Sequence, residues 1–482
     1  MITNRRTFIK TAGAAGAGVL TAGIASSAEK APAFAQTLAA VRKPRKQVFN
    51  MCGYAAPAIE TVRVGIVGIG RRGIGAVHRL KLIKGLEIRA LCDIRKERVE
   101  VGQKALMDIG LPAARTYGKT EDDWKKLCTS PDLDLIYIVT PWDLHTPMSV
   151  FAMENGKHAA VEVPAAVTIK ECWRLVETSE RTRKHCMMLE NCCYDFFELL
   201  TLNMARQGLF GEIVHGEGAY IHWRPTARSP ALGPVEYSDA WRMQQVQKRA
   251  GNMYPTHGLG PICQAMNINR GDRFDYMSSV TCNDFVVGRR YEELAKSTDF
   301  FKQFDPKSQI GNVNTSIIRT AKGKTIMLQF AVTVPRVYSR IHLLSGTKGS
   351  AQKYPLPGKI ALGGSWLSEE KVDELTKKHS PEIVRRIGTV AKQDATTRAL
   401  AHGGMDLMMD WRLIDCLRNG LPLDQDVYDA ALWSSIMPLS DWSVANRSNS
   451  IDVPDFTGGS YIRNVPLDLS LSQGGNTGVR PG

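Results

Sequence analysis

Beyond its first 30 residues the sequence has no unbroken apolar run near the 18 or so residues that a membrane-spanning helix needs, which excludes stable membrane insertion for the body of the chain. None of its ten cysteines stands in C-x-x-C spacing, although Cys192 and Cys193 are adjacent and Cys92, Cys263 and Cys282 sit in apolar runs. Free, buried thiols are expected in place of disulfides. No histidine or carboxylate cluster has ligand spacing, so no metal is expected. Lys and Arg exceed Asp and Glu by 62 to 48, for a net charge of +14, yet they are scattered and form no basic run. A solvated basic surface follows, with no nucleic-acid partner.

What is present is ordinary for a globular chain: 482 residues, 43% hydrophobic and 23% charged, enough for two to three domains. The N-terminus places Arg5-Arg6-x-Phe8 and Lys10 before an Ala/Gly-rich, weakly hydrophobic segment, and Ala33-Phe34-Ala35 offers a small-x-small cleavage site. Residues 1–35 resemble a twin-arginine export signal, which implies the export machinery as a partner and a periplasmic or secreted location. Residues 36–60 read as a Pro/Ala-rich linker.

The chain is organised around residues 62–93. A β-branched run (Val62, Val64, Ile66, Val67) reads as a buried parallel strand and leads into Gly68, Gly70 and Gly73, a G-x-G-x-x-G turn that opens a helical pattern. Gly68 allows the tight turn, Gly70 lets a pyrophosphate approach the backbone, and Gly73 lets helix and strand pack closely. The helix N-terminus offers free N–H groups to phosphate. A second strand ends on Asp93, 20 residues after Gly73, where a carboxylate can accept from a ribose diol. Together these make a dinucleotide site.

Further strand–helix units follow. The strand at 134–139 leads into the loop Thr140-Pro-Trp-Asp-Leu-His145, the strand at 159–163 ends in Glu162-Val163-Pro164, and the strand at 186–190 ends at Asn191. Ligands bind at the carboxyl ends of such strands, so Trp142 and His145 are placed to reach a nicotinamide or ribose. Later, residues 213–222 alternate as a strand presenting Tyr220, and Tyr254-Pro-Thr-His257 is a short loop dense in polar, titratable groups before an apolar helix. His402-Gly-Gly is a second such loop, where two glycines allow an imidazole to move. Residues 350–400 read as a solvated insertion or lid, and residues 461–482 as a loose Gly/Ser tail.

The G-x-G-x-x-G turn, the Thr140-Pro…His145-Thr-Pro-Met148 loop and the E-x-P strand end resemble the Gfo/Idh/MocA sugar oxidoreductases. Those usually have a lysine where this chain has Val163, which has no proton to move. Glu162-Val-Pro-Ala-Ala166, Met188-Leu-Glu-Asn-Cys-Cys-Tyr194, Tyr254-Pro-Thr-His-Gly258, the stretch at 340–349 and His402-Gly-Gly-Met-Asp406 resemble the NAD-dependent glycosidases of glycoside hydrolase family 109, over residues 60–450. The resemblance implies an α/β Rossmann N-terminal domain (61–192) and an α+β C-terminal substrate domain (193–460) with a large, mostly antiparallel sheet. It implies that NAD is held by Gly68, Gly70, Arg71, Arg72, Gly73, Asp93, Trp142, Asp143, Leu144, His145, Glu162, Val163 and Asn191. Tyr220, Arg242, Tyr254, Pro255, Thr256, His257 and Tyr338 would contact a glycoside, with Tyr254, His257 and His402 catalytic. Association through the broad C-terminal sheet is the family-like expectation, with the oligomer left open.

No pair of carboxylates can be placed by spacing on either side of a glycosidic bond, the arrangement of ordinary glycosidases. The resemblance implies a different route to hydrolysis of α-N-acetylgalactosaminides or a related glycoside. C3 is oxidised, the C1 oxygen is eliminated once the C2 proton is acidified, water adds at C1, and C3 is reduced, with no net redox. A periplasmic NAD(P)-dependent sugar oxidoreductase is the alternative, weakened by Val163 and by the export signal. A non-catalytic sugar sensor is weakened by the run of Tyr, Arg and His candidates.

Overall fold

The computed structural model describes residues 31–43, 45–223, 237–307, 310–393, 402–466 and 468–480; residues 1–30 of the twin-arginine segment lie outside them, and its Ala33-Phe34-Ala35 site falls in a helix, Ala31–Val41. The first sheet is built from β1 (Val62–Val67), β2 (Leu86–Cys92), β3 (Arg115–Tyr117), β4 (Leu135–Ile138), β5 (His158–Val161) and β6 (Cys186–Met188), all parallel, in the order β3-β2-β1-β4-β5-β6. All four residues of β4 and of β5 are buried, as expected of parallel strands covered on both faces. The helices after α1 (Ala31–Val41) supply the cover: α2 (Arg71–Leu80), α3 (Lys96–Met107), α4 (Asp123–Cys128), α5 (Trp142–Glu154) and α6 (Ile169–Thr182). The last starts cleanly because Thr168 and Glu171 form a reciprocal capping box. Strand order reverses between β1 and β4, and there the missing Cβ of Gly68 (φ 91°) leaves room for the Val139 carbonyl, which a Cβ would meet at 2.5 Å. That reversal is where an open α/β sheet binds its ligand.

The second sheet has eight strands: β7 (Ile213–Ile221), β8 (Phe274–Thr281), β9 (Asn314–Thr320), β10 (Thr325–Ala331), β11 (Ser339–Gly346), β12 (Gly349–Gln352), β13 (Lys359–Leu362) and β14 (Ile451–Asp452). Their order is β13-β12-β11-β7-β10-β9-β8-β14, and only β7 and β10 run parallel. The helices are α7 (Phe196–Arg206), α8 (Tyr237–Lys248), α9 (Thr256–Ala265), α10 (Val287–Ser297), α11 (Glu369–His379), α12 (Glu382–Gln393), α13 (Met405–Asn419) and α14 (Val427–Ala445). The expected α/β plus α+β architecture with a mostly antiparallel second sheet is what forms.

Four local expectations need correction. Residues 461–482 are not a loose tail as far as they are described. The Gly475 N–H donates to Asp415, Trp411 donates to the Thr477 carbonyl, and the Arg480 N–H donates to the Leu82 carbonyl. Gly474 and Gly475 both take φ 74°, so the glycines make a fixed turn. Residues 36–60 are a strap more than a linker. Arg45 pairs with Glu180 at 2.6 Å and lies over the Trp173 ring, and Met51 is buried beneath Tyr428. Residues 350–400 supply β13, α11 and α12, whose Ile383, Ile387 and Ala391 are buried. All ten cysteines are free, but Cys282 is exposed, because it lies just past the end of β8.

Backbone proximity sets one junction. α9 lies against β7 through glycines on both sides: a Cβ on Gly258 would stand 2.3 Å from the Ala219 nitrogen, and one on Gly218 would stand 2.2 Å from the Gly258 carbonyl. A Gly260 Cβ would press on Glu190 and Cys193 at 3.0 and 2.9 Å. Glycine is required here by close approach, since Gly218, Gly258 and Gly260 have no positive φ. Gly258→Ala is expected to push α9 off the sheet, costing about 3 kcal/mol in chemical denaturation and more activity than stability. Unchanged turnover in the alanine variant would show that this spacing is not needed.

Candidate functional site

The carboxyl ends of the Rossmann strands carry the expected nucleotide residues. No side chain caps α2, whose N-cap is Gly70, and nothing lies within 4 Å of where a Gly70 Cβ would be, so the turn leaves an open cradle at the helix N-terminus. Gly73 packs so tightly on the Gly68 carbonyl that a Cβ would stand 1.8 Å from it. Asp93 ends β2 half-exposed, accepting from the Ile69 and Arg95 N–H groups at 2.6 and 2.9 Å. Those bonds fix the carboxylate while leaving it lone pairs for a diol. Cradle, helix N-terminus and terminal carboxylate fit a dinucleotide.

The 142–145 segment is the first turn of α5 rather than a loop, because Pro141 serves as N-cap with extended ψ. Leu144 is exposed, whereas Trp142 and His145 are buried. Asp143 accepts from Gln245 on α8 at 3.0 Å. Both His145 ring nitrogens face backbone carbonyls, of Pro164 at 2.7 Å and Thr140 at 2.8 Å. Burial lowers its pKa against those two carbonyls. Its visible work is to hold the strand ends together.

Arg71 is exposed, while Arg72 turns inward. The Arg72 guanidinium donates to Glu162 at 2.6 Å and, two-pronged, to Asp406 at 2.8 and 2.8 Å. Asp406 also accepts from Asn191 at 2.6 Å and has no solvent exposure. The first turn of α13 is thereby tied to the glycine turn and to the ends of β5 and β6. Val163 is buried beside Glu162.

The substrate side opens as a cavity of about 350 Å³ whose lining includes Asn191, Tyr220, His257, Tyr338, Arg340 and Tyr354, within the size range of small-molecule sites. His257, in the first turn of α9, meets Glu190 at the end of β6: Nδ1 lies 2.7 and 2.9 Å from the two carboxylate oxygens. A carboxylate cannot donate, so Nδ1 carries the hydrogen and Nε2 is left as the free nitrogen. Burial would raise the Glu190 carboxyl, but His257 and the Cys192 N–H outweigh it and hold Glu190 below the ordinary carboxylate range. The Cys192 Sγ lies within 4.8 Å of the same groups. Burial pushes that thiol well above its usual value, so it remains a thiol.

Aromatic rings form the adjoining wall. Tyr254 stacks on Trp142 at 5.9 Å and meets His257 edge-on at 4.8 Å, with Tyr220 4.7 Å from Tyr254. Burial raises the Tyr254 hydroxyl well above its usual pKa, so it keeps its proton. Pro255 is the N-cap of α9 and Thr256 is buried behind it. Arg242 lies over Trp241 and Trp142, 4.7 and 5.6 Å from the ring centres. The His402 backbone enters a short 3-10 turn before α13, but its side chain lies outside the described residues. A larger groove of about 420 Å³ between α7 and α11–α12, lined by Phe196, Phe197, Leu200 and Val384, carries none of the expected site residues.

Glu190, Asp406 and Arg340 were not singled out from sequence. Each stands inside a motif quoted above, so the segments were visible, but their partners lie 67, 334 and 142 residues away.

A six-stranded Rossmann sheet joined to a broad mixed sheet, with the ligand cavity at the strand ends, defines an NAD-binding protein of the Gfo/Idh/MocA oxidoreductase fold. Residues 62–190 match the oxidoreductase family with an NAD-binding Rossmann fold, and residues 194–463 match the glycosyl hydrolase 109 C-terminal domain. A Phocaeicola vulgatus glycosyl hydrolase family 109 protein is 46% identical over 422 residues, 86% of this chain and 98% of its own length. A Bacteroides fragilis protein named alpha-N-acetylgalactosaminidase is 46% identical over 419 residues, covering 86% of this chain and 96% of its own. Among solved structures, levoglucosan dehydrogenase with NADH and levoglucosan shares the fold at TM-score 0.60 and 15% identity, covering 82% of this chain and 100% of its own. The aldose-aldose oxidoreductase of Caulobacter crescentus does so at 0.58 and 15%, with the same coverage. The chain belongs to glycosyl hydrolase family 109.

Glu190→Gln keeps the shape of the pair and one acceptor while removing its charge, so kcat is expected to fall about 100- to 1000-fold with the cavity intact. The depressed folded pKa also sets a sign. Glu190 stabilises the fold above the unfolded carboxylate pKa, and that contribution disappears as pH falls through the folded value. The stability gap between wild type and Glu190→Gln should therefore shrink as pH falls below the unfolded carboxylate pKa of about 4.3 in denaturant titrations. A gap that widens on acidification would contradict the assignment.

Proposed function

We propose that this protein hydrolyses terminal α-linked N-acetylgalactosamine from glycosides by an NAD-dependent cycle of oxidation, elimination, hydration and reduction with no net redox change. The observation that carries the reading is the Glu190–His257 pair, which joins the end of a Rossmann strand to the first turn of a substrate-domain helix beside the cavity. Bound NAD supplies reversible oxidation at the sugar's C3, which acidifies the neighbouring C2 proton. His257 Nε2 accepts that proton, and Glu190 at Nδ1 stabilises the imidazolium that forms. Tyr254, packed between Trp142 and His257, hydrogen-bonds the C3 hydroxyl and relays its proton to cavity water as C3 is oxidised, and back again on reduction, keeping its own phenolic proton overall. His402, on its glycine-flanked turn, assists the leaving oxygen.

Two features support this route over an ordinary one. Among the described residues lining the cavity, the single carboxylate is Asp195, and it is paired with Arg340 and Lys353. That leaves no opposed acid and base of the usual kind. Val163 replaces the lysine on which the resembling oxidoreductases rely. The 46% identical Bacteroides fragilis relative named alpha-N-acetylgalactosaminidase supports the choice of sugar. Export of the folded, cofactor-loaded protein by the twin-arginine route is part of the proposal, on the strength of Arg5-Arg6-x-Phe8.

The test is purified protein with no added NAD, given p-nitrophenyl α-N-acetylgalactosaminide and related glycosides while nicotinamide absorbance is followed. Many turnovers of nitrophenol with no net NADH are expected, with the activity outside the cytoplasm in fractionated cells. Steady NADH formation from free sugars with added NAD, and no glycoside cleavage, would establish the oxidoreductase instead.

A further inference from the structure

The wall of the cavity formed by β11 has a backbone irregularity with a visible consequence. Ile341 and His342, neither of them glycine, adopt φ of 57° and 50° in the middle of the strand, and the pairing of β11 with β7 slips on both sides of Ile341. A β-branched residue rarely takes that conformation, and bulges of this kind re-aim neighbouring side chains. The displaced carbonyls of Ile341 and His342 accept the N–H groups of Tyr354 and Lys353 at 3.2 and 3.1 Å, which brings those residues beside Arg340.

Arg340 is 2% exposed and lines the cavity. One arm of its guanidinium donates to Glu198 at 2.7 Å and to Asp195, and Lys353 shares both carboxylates at 2.7 and 2.6 Å. Two cations and two anions balance, so the cluster holds the guanidinium in place without adding net charge to the wall. The other arm, Nη1, donates to the Tyr338 hydroxyl oxygen at 2.8 Å. With a cation donating to it, that oxygen is a poor acceptor, and the phenolic hydrogen is freed for the cavity. His222 and Tyr354 hold the Tyr338 ring edge-on at 5.2 and 5.7 Å.

We propose that Arg340 is a positioning residue for substrate choice: it commits the Tyr338 hydroxyl to donate, so that this wall selects an acetamido carbonyl on the sugar over a hydroxyl. A sugar hydroxyl can accept from this donor too, but it then needs another acceptor for its own hydrogen, whereas an amide carbonyl brings no hydrogen and is satisfied by the donor alone. A facing hydroxyl committed to donating therefore favours an N-acetylated sugar over its 2-hydroxy counterpart. The inference rests on the glycosidase reading above for the class of ligand.

Calorimetric binding of free N-acetylgalactosamine and of galactose to the NAD-loaded protein tests it without requiring turnover. Tyr338→Phe leaves the four-charge cluster whole and is expected to weaken N-acetylgalactosamine about 10- to 100-fold, and galactose by less than about 3-fold. Arg340→Gln should do the same, Arg340→Lys should restore part of the selectivity, and Tyr338→Phe/Arg340→Gln should be no worse than Tyr338→Phe alone. Circular dichroism identifies any Arg340 variant that has not folded, and Tyr338→Phe then decides alone. Equal weakening of both sugars, unchanged selectivity in Tyr338→Phe, or a wild type that does not prefer the acetamido sugar would each overturn the inference. Absence of glycoside cleavage alongside selective binding would overturn only the proposed hydrolysis.

Discussion

Glu190 is a carboxylate with no exposure to solvent, and it is kept ionised chiefly by a histidine from the other domain. Most of the site's architecture follows from making that contact possible. β6 must end at residue 188 so that Glu190 turns toward the substrate domain, and α9 must begin at Thr256 so that His257 falls in its first turn. The glycines at 218, 258 and 260 bring the helix backbone close enough to both β7 and Glu190. Stripping one partner from a buried pair of this kind typically costs about 3–5 kcal/mol, so the contact holds the domains together as well as setting the histidine's tautomer. Stability and chemistry draw on the same hydrogen bonds.

A second buried link ties the strand ends beside the cavity to the second domain. Asp406 at the start of α13 takes both prongs of Arg72 and the amide of Asn191, and one turn further Asp410 takes Arg79 at 2.7 Å and the Tyr137 hydroxyl at 2.8 Å. The glycine turn, the strand ends and the segment carrying His402 are thereby fastened to one helix. Burial raises the Asp410 carboxyl against the pull of Arg79, which marks this as a link held by its partners rather than by solvent. The chain ends reinforce the arrangement: residues 45–60 strap α6 and α14, and the Gly474-Gly475 turn seats the C-terminal strand of chain on Asp415.

What the sequence made legible were features with a local period or a local turn. β1, its glycine turn, the end of β2 at Asp93 and the apolar helix after His257 are each specified within a dozen residues, and the strand-end rule extends them to Trp142, Glu162 and Asn191. What it concealed were long-range pairings. Arg72 looked like a phosphate ligand because it stands in a phosphate turn, but its carboxylate partners at 162 and 406 are set by tertiary packing. The Ile341–His342 bulge has no glycine to announce it. The Gly/Ser-rich C-terminus carried the composition of a loose segment, yet its glycines serve fixed turns and its backbone groups are bonded to the first domain. Composition describes what a segment can avoid burying, and cannot show which carbonyl a distant strand will offer it.

The central claim is that His257 removes a carbon-bound proton during a hydrolysis that is redox-neutral overall. Running the reaction in deuterium oxide and examining the released sugar by proton NMR tests this directly. The account predicts deuterium at C2 of the product sugar with the original hydrogen retained at C3. A product carrying its original hydrogen at C2 would contradict it, because direct displacement at C1 never breaks that bond.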